Sequence, residues 1–138
     1  MDPTEAERLE SLRAIPLFDH LSTESLRAVL ECVNEFEAPE GQVLVQPYEA
    51  GAGLFVVEEG TVVVELRDRR VELGEGQFFG ELALLTDAGH MARVRAKTPV
   101  RCLALRRDDF DRLLQSEPMM AMAMLKALAR RMAESGSR

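Results

Sequence analysis

Histidine is almost missing from this chain: its 138 residues include only His20 and His90. A catalytic metal site needs a cluster of histidines, with His-x-His spacing or a matching carboxylate pattern, and neither is present. Cysteine is equally scarce. Cys32 and Cys102 are far apart and each falls within an apolar pattern, so both are expected to be buried free thiols suited to a reducing cytoplasm. Neither has a neighbouring histidine, and no serine sits in a nucleophile elbow, which removes the common routes to nucleophilic catalysis. GEGQFFG is rich in glycine but lacks the lysine of a P-loop and the spacing of a dinucleotide fold. An enzyme is therefore not expected. No run of about 18 apolar residues exists to span a membrane. The N-terminus is acidic rather than basic-then-apolar, so no secretory signal is expected. The formal net charge is −7, which argues against nucleic acid as a partner of this chain, since phosphate binding is driven by basic clusters.

What is present reads as one domain with a single core. Thr4-x-x-Glu7 has the form of a capping box and opens a short helix through Leu9 and Leu12. Ile15, Leu17 and Phe18 look like a buried connector. Ser22 is a good N-cap for an amphipathic helix whose Leu26, Val29, Leu30 and Val33 fall at i, i+3, i+4 and i+7. From Phe36 the period changes to short strand-like runs: Val43 to Val45, Leu54 to Val57, Thr61 to Leu66, Arg70 to Leu73, Arg93 to Ala96 and Val100 to Leu105. Regularly spaced glycine, proline and acidic turns separate them, a pattern that predicts a sandwich, roll or barrel. Asp108 or Asp109 is placed to cap a helix carrying Phe110, Leu113 and Leu114, and Pro118 starts another.

The centre of the chain is GQFFGELALLTDAGHMARVRA, Gly76 to Ala96. A glycine before one turn of helix leaves backbone N–H groups clear of side chains, a cradle for an anion. Glu81 beside such a cradle would repel an anion, unless the ligand also offers hydroxyls for the carboxylate to accept from. This segment resembles the phosphate-binding cassette of cyclic nucleotide-binding domains, F-G-E-L-A-L-L followed by P-R-x-A-T-V. GLFVVEEG followed by TVVVEL likewise resembles that family's L-Y-V-V-x-x-G-x-V-x-V hairpin. The resemblance extends from about Leu12 to about Met132. It implies an α+β, mainly β fold: an eight-stranded antiparallel jelly roll, or double-stranded β-helix, flanked by N-terminal and C-terminal helices. The division would be an N-terminal helical segment at 1–35, a β-roll at 36–106 with its cassette at 76–96, and C-terminal helices at 107–138. The resemblance further implies cyclic AMP or cyclic GMP as ligand, Glu81 on the ribose hydroxyl, and the amides of Gly80, Leu82 and Ala83 around the phosphate. His90 and Met91 would lie opposite.

The departure from the family pattern is in the second half of the cassette, where Gly89 and His90 replace Pro and Arg. Strand parity gives Ala92, Val94 and Ala96 the inward face and sends Arg93, Arg95 and Lys97 to solvent. His90 shares the inward parity and so faces the pocket. An arginine brings a permanent charge and a fixed fork of donors, whereas a histidine brings one donor and is mostly neutral at pH 7. Losing a charge-assisted bond of about 1.5–3 kcal/mol weakens binding by roughly 10- to 150-fold. Three outcomes stay open: weak cyclic nucleotide binding, a different ligand, or a pocket kept only as a scaffold.

The final helix, MMAMAMLKALARRMAES, is apolar around more than half its circumference, although a docked helix needs a stripe of only about 100°. A second contact is expected, through Met120, Met124, Leu128 and Met132. In regulators of the catabolite-activator type this helix is where two copies meet, and methionine suits an adaptable surface. The expected protein is thus a cytoplasmic regulatory module that senses a ligand and relays it through its C-terminal helices, as a homodimer or against a partner domain. The alternative is a dimerisation or interaction module whose pocket no longer binds nucleotide. No DNA-reading helix-turn-helix follows Arg138, so a stand-alone sensor or one domain of a longer protein is expected.

Overall fold

The structure, a computed structural model, describes residues 4–47, 53–86 and 92–134. Its elements run α1 (Glu5–Arg13), α2 (Thr23–Cys32), β1 (Asn34–Ala38), β2 (Val43–Val45), β3 (Gly53–Glu59), β4 (Val62–Glu65), β5 (Arg70–Leu73), β6 (Phe78–Phe79), α3 (Glu81–Thr86), β7 (Arg93–Ala96), β8 (Val100–Arg106), α4 (Arg107–Ser116) and α5 (Pro118–Glu134). Two compact units result, one of residues 32–110 and one that joins the N-terminal 31 residues to those from 111 onward.

In the first unit, two four-stranded sheets have the orders β1-β8-β3-β6 and β2-β7-β4-β5, every pairing antiparallel. This is the predicted eight-stranded roll between helices at both ends. Alternation fixes what each strand buries. Val62 pairs with Ala96 and Leu73, and Val64 with Val94 and Val71. The first set joins Val45, Val57, Phe79 and Cys102 in the core between the sheets. The neighbouring positions carry the charges that parity sends outward: Arg93 donates to Gln46, Arg95 approaches Glu65 at 3.6 Å, and Lys97 pairs with Glu72. A one-residue slip would exchange these faces, so the apolar pattern specifies the register. Strand β3 differs, because Leu54 and Val56 on one face and Val57 on the other are all buried. A strand covered on both sides loses alternation and reads as a continuous apolar run.

In the other unit, α1 starts at the predicted cap, where Glu7 N–H donates to Thr4 Oγ1 at 3.1 Å. The Glu7 carboxylate accepts from the Thr4 hydroxyl itself, also at 3.1 Å. Ser22 caps α2 by accepting from Ser25 N–H. Arg13 closes the corner between these helices, donating to the Leu21 carbonyl and to Thr23 Oγ1. Ile15, Leu17 and Phe18 are buried, as a connector of apolar residues requires.

Three expectations are corrected. Cys32, at the end of α2, is half-buried, whereas Cys102 is buried as expected. Helix α4 starts at Arg107, directly after β8, so Asp108 and Asp109 occupy its first turn instead of capping it. There their charge still favours the positive end of the helix dipole. On α5, Met120 and Met124 are fully or almost fully buried, at 0% and 2% exposure. They are occupied within this chain and are not open to a partner. The apolar residues left in solvent on this helix are Met119, Met122, Leu125 and Met132, with Leu128 half-buried. The sequence could not tell the two faces apart, because both are apolar.

Candidate functional site

The cassette begins where β6 ends. Phe55 of β3 pairs with Phe79 of β6, and their rings stack at 5.0 Å with 16° between planes. Phe36 of β1 meets Phe55 edge-on at 6.0 Å. Offset-stacked and edge-to-face pairs of this kind are worth about 0.5–1.5 kcal/mol each beyond their buried area. These aromatics fix the floor from which the chain turns into α3. The turn itself is Gly80, at φ +96°, where a Cβ would come within 2.3 Å of the Gly53 carbonyl oxygen. Only glycine supplies both the left-handed conformation and the absent side chain.

Glu81 follows as the first residue of α3 and is 6% exposed. A buried carboxylate at the first position of a short helix is favoured by the helix dipole. It stands at the junction where β6, the start of β3 and α3 meet. Leu84 is buried and Leu85 is 46% exposed, so the helix has an inner and an outer side. Its far end is held from elsewhere in the chain: Arg107, the first residue of α4, donates from Nη1 to the Leu84 carbonyl at 3.3 Å.

Of the six predicted site residues, the structure thus brings Gly80, Glu81, Leu82 and Ala83 onto one turn at the start of α3. His90 and Met91 lie outside the described residues. On β7, Val94 and Ala96 are buried and Ala92 half-buried, in keeping with parity. Arg107 was not foreseen. No local pattern marks it, since its partner is 23 positions away.

A second titratable group lies apart from the cassette. Arg101 on β8 is shared by three carboxylates, with Glu59 at 2.9 Å, Glu58 at 3.5 Å and Glu35 at 3.8 Å. One cation cannot neutralise three anions. Burial, and then the hydrogen bond and charge of Glu35, push the Glu58 carboxyl up to about 7, against the opposing pull of Arg101. Burial and the Glu58 charge likewise raise the Cys102 thiol to about 11, which keeps it protonated and unreactive. A cleft of about 380 Å³ beside this group is lined by Glu37, Ala38, Pro39, Glu59, Pro99, Val100 and Arg101, with no cassette residue among them.

The sign of the resulting pH dependence follows from linkage. The folded state holds the Glu58 proton more tightly than the unfolded chain, whose ordinary value is 4.5. The associated stability is fully present below pH 4.5 and is lost as pH rises through about 7. Glu58→Gln is therefore expected to raise stability at pH 8 relative to wild type, with the difference shrinking towards pH 5. Urea denaturation at the two pH values measures this; an equal difference at both would show that Glu58 is not the group responsible.

Among the described residues, no helix is long and apolar enough to cross a membrane. The profile described as "Cyclic nucleotide-binding domain" matches residues 35–117. A cyclic nucleotide-gated potassium channel of Rhizobium etli is 39% identical over 119 residues, covering 86% of this chain and 34% of the channel. The chain therefore spans about a third of that relative's length. Among solved structures, the catabolite activator protein of Thermus thermophilus is similar with a TM-score of 0.75 and 28% identity, over 88% of this chain and 60% of that one. The regulatory subunit of a cAMP-independent protein kinase A from Trypanosoma brucei, as a triple mutant bound to cAMP, is similar with a TM-score of 0.75 and 26% identity. That likeness covers 92% of this chain and 46% of that one. With its eight-stranded antiparallel roll, its glycine–glutamate turn into a short helix, and a profile match over more than half its length, this chain belongs to the cyclic nucleotide-binding domain family.

Proposed function

We propose that this chain is a non-catalytic regulatory module that binds a cyclic nucleotide weakly and relays occupancy through its C-terminal helices. The observation that carries this reading is the junction of Gly80 and Glu81. A glycine that tolerates no side chain delivers a buried carboxylate to the first position of α3. That arrangement suits a ligand offering both sugar hydroxyls, for Glu81 to accept from, and an acidic group near the amides of Leu82 and Ala83. His90 and Met91 face them across the pocket in this reading, and His90 stands where the family has its arginine. The predicted weakness follows from that one position.

The trypanosomal neighbour supports this reading. It is described as belonging to a cAMP-independent kinase, and the form bound to cAMP carries three replacements, one of which introduces arginine. A site of this fold can thus differ from a cAMP site by few side chains. In the cytoplasm, α5 would meet a second copy or a partner domain through the solvent-facing Met122, Leu125 and Met132. That same surface favours a second reading, a dimerisation module whose pocket is empty of nucleotide.

A thermal-shift screen with cyclic AMP, cyclic GMP and cyclic dinucleotides separates the two. A ligand at 100 times its dissociation constant adds about 2.7 kcal/mol, and Glu81→Ala is expected to abolish the shift. No shift with any of these ligands at millimolar concentration would favour the second reading.

A further inference from the structure

Helix α3 is six residues long, too short to be stable by itself, so what holds its ends decides where it sits. Its first end is fixed by the close approach of Gly80 to the Gly53 carbonyl. The last turn contains no basic residue of its own, although helix C-termini favour a cation on their free carbonyls. The cation comes instead from Arg107, whose Nη1 donates to the Leu84 carbonyl at 3.3 Å. At its own position Arg107 is misplaced, because the first turn of α4 presents the positive end of a dipole, where acidic residues such as Asp108 and Asp109 belong. An arginine at the wrong end of one helix thus reaches the right end of another.

We propose that Arg107 is the positioning residue that couples the cassette to the output helices: its guanidinium ties the last turn of α3 to the first residue of α4. This rests on the ligand-sensing reading above. Any ligand that draws in the N-terminal turn of α3 moves the Leu84 carbonyl with it, since six helical residues span only about 9 Å and act as one body. The guanidinium follows, and the start of α4 with it. Without Arg107 the cassette still has its glycine, its glutamate and its amides, so ligand binding and relay come apart.

The experiment has two arms, both read by amide hydrogen exchange on the full chain. In the ligand-free protein, Arg107→Gln is expected to speed exchange of the last-turn amides of α3 by about tenfold, while Arg107→Lys, which keeps the charge, restores part of the protection. Unchanged exchange in α3 would overturn the proposal. In a His90→Arg background with saturating cyclic AMP, the parent is expected to gain protection in both α3 and α4. The same background with Arg107→Gln should gain it in α3 alone. Equal gains in α4 with and without Arg107 would also overturn it. If cyclic AMP binds neither background, the reading of the site fails, and the ligand-free arm alone decides whether Arg107 holds α3.

Discussion

Replacing His90 by arginine is expected to tighten cyclic AMP binding by roughly 10- to 150-fold, the equivalent of about 1.5–3 kcal/mol for one charge-assisted hydrogen bond. The direction follows from chemistry. A cyclic phosphate carries a permanent negative charge, and Glu81 nearby carries another. Amides alone leave that repulsion uncompensated, whereas a guanidinium neutralises it and offers a bidentate fork. Calorimetric titration of both proteins at low and physiological salt measures the gain. A companion expectation concerns pH. If His90 is the phosphate partner, wild-type affinity rises as pH falls through about 6.5, where an imidazole ordinarily charges, and the arginine variant loses that dependence. A flat wild-type profile between about pH 5.5 and 8 would remove His90 from the site. No gain on introducing arginine would mean that something else blocks the pocket, with bulky Met91 the first candidate to replace.

Gly80→Ala should produce a large loss of stability for a single added methyl. Two costs combine. The left-handed backbone at φ +96° disfavours any Cβ, by about 1–2 kcal/mol. The added carbon would also sit 2.3 Å from the Gly53 carbonyl oxygen, and a backbone oxygen in a strand cannot rotate away. A total near 3 kcal/mol is expected, which lowers Tm by on the order of 10 °C for a domain of this size. Gly41 provides the control. It has nearly the same conformation, φ +89°, but open space where its Cβ would go, so Gly41→Ala should show the backbone cost alone. Equal melting temperatures for the two variants would mean that the approach of α3 to β3 is looser than the structure has it. Cyclic AMP binding should be lost in Gly80→Ala and kept in Gly41→Ala.

The roll was readable because its strands obey parity where one face is wet, as Val62, Val64, Val94 and Ala96 do. It was unreadable where that condition fails. Strand β1, NEFEA, offers only Phe36 and Ala38 as apolar residues among acids, and β6 is two phenylalanines long; both are recognised only by the strands they pair with. The glycine–glutamate half of the site was legible because it is local: a turn, a cap and a helix in six letters. The long-range contacts described above are not local. Arg107 reaches Leu84 across β7 and β8, and three glutamates from two strands gather on Arg101. Side chains brought together by folding leave no spacing signal. On α5, the surplus of apolar residues gave the expectation of two contacts but could not say which face makes the inner one. Burial of Met120 and Met124 assigns the inner one.

The absence of any residue between β8 and α4 has a mechanical consequence. A strand locked into a sheet by two neighbours makes a rigid shoulder, and a helix that leaves it with no slack cannot swing freely. In the proposed relay, a push at Arg107 would therefore become a small tilt. The next place able to bend is Glu117, the single residue between α4 and α5, followed by a proline that has no N–H to continue the helical ladder. That elbow, ten residues beyond the shoulder, is where the proposed relay would turn a small tilt into displacement. Stiffening it should mute the output of the arm while leaving its input end untouched.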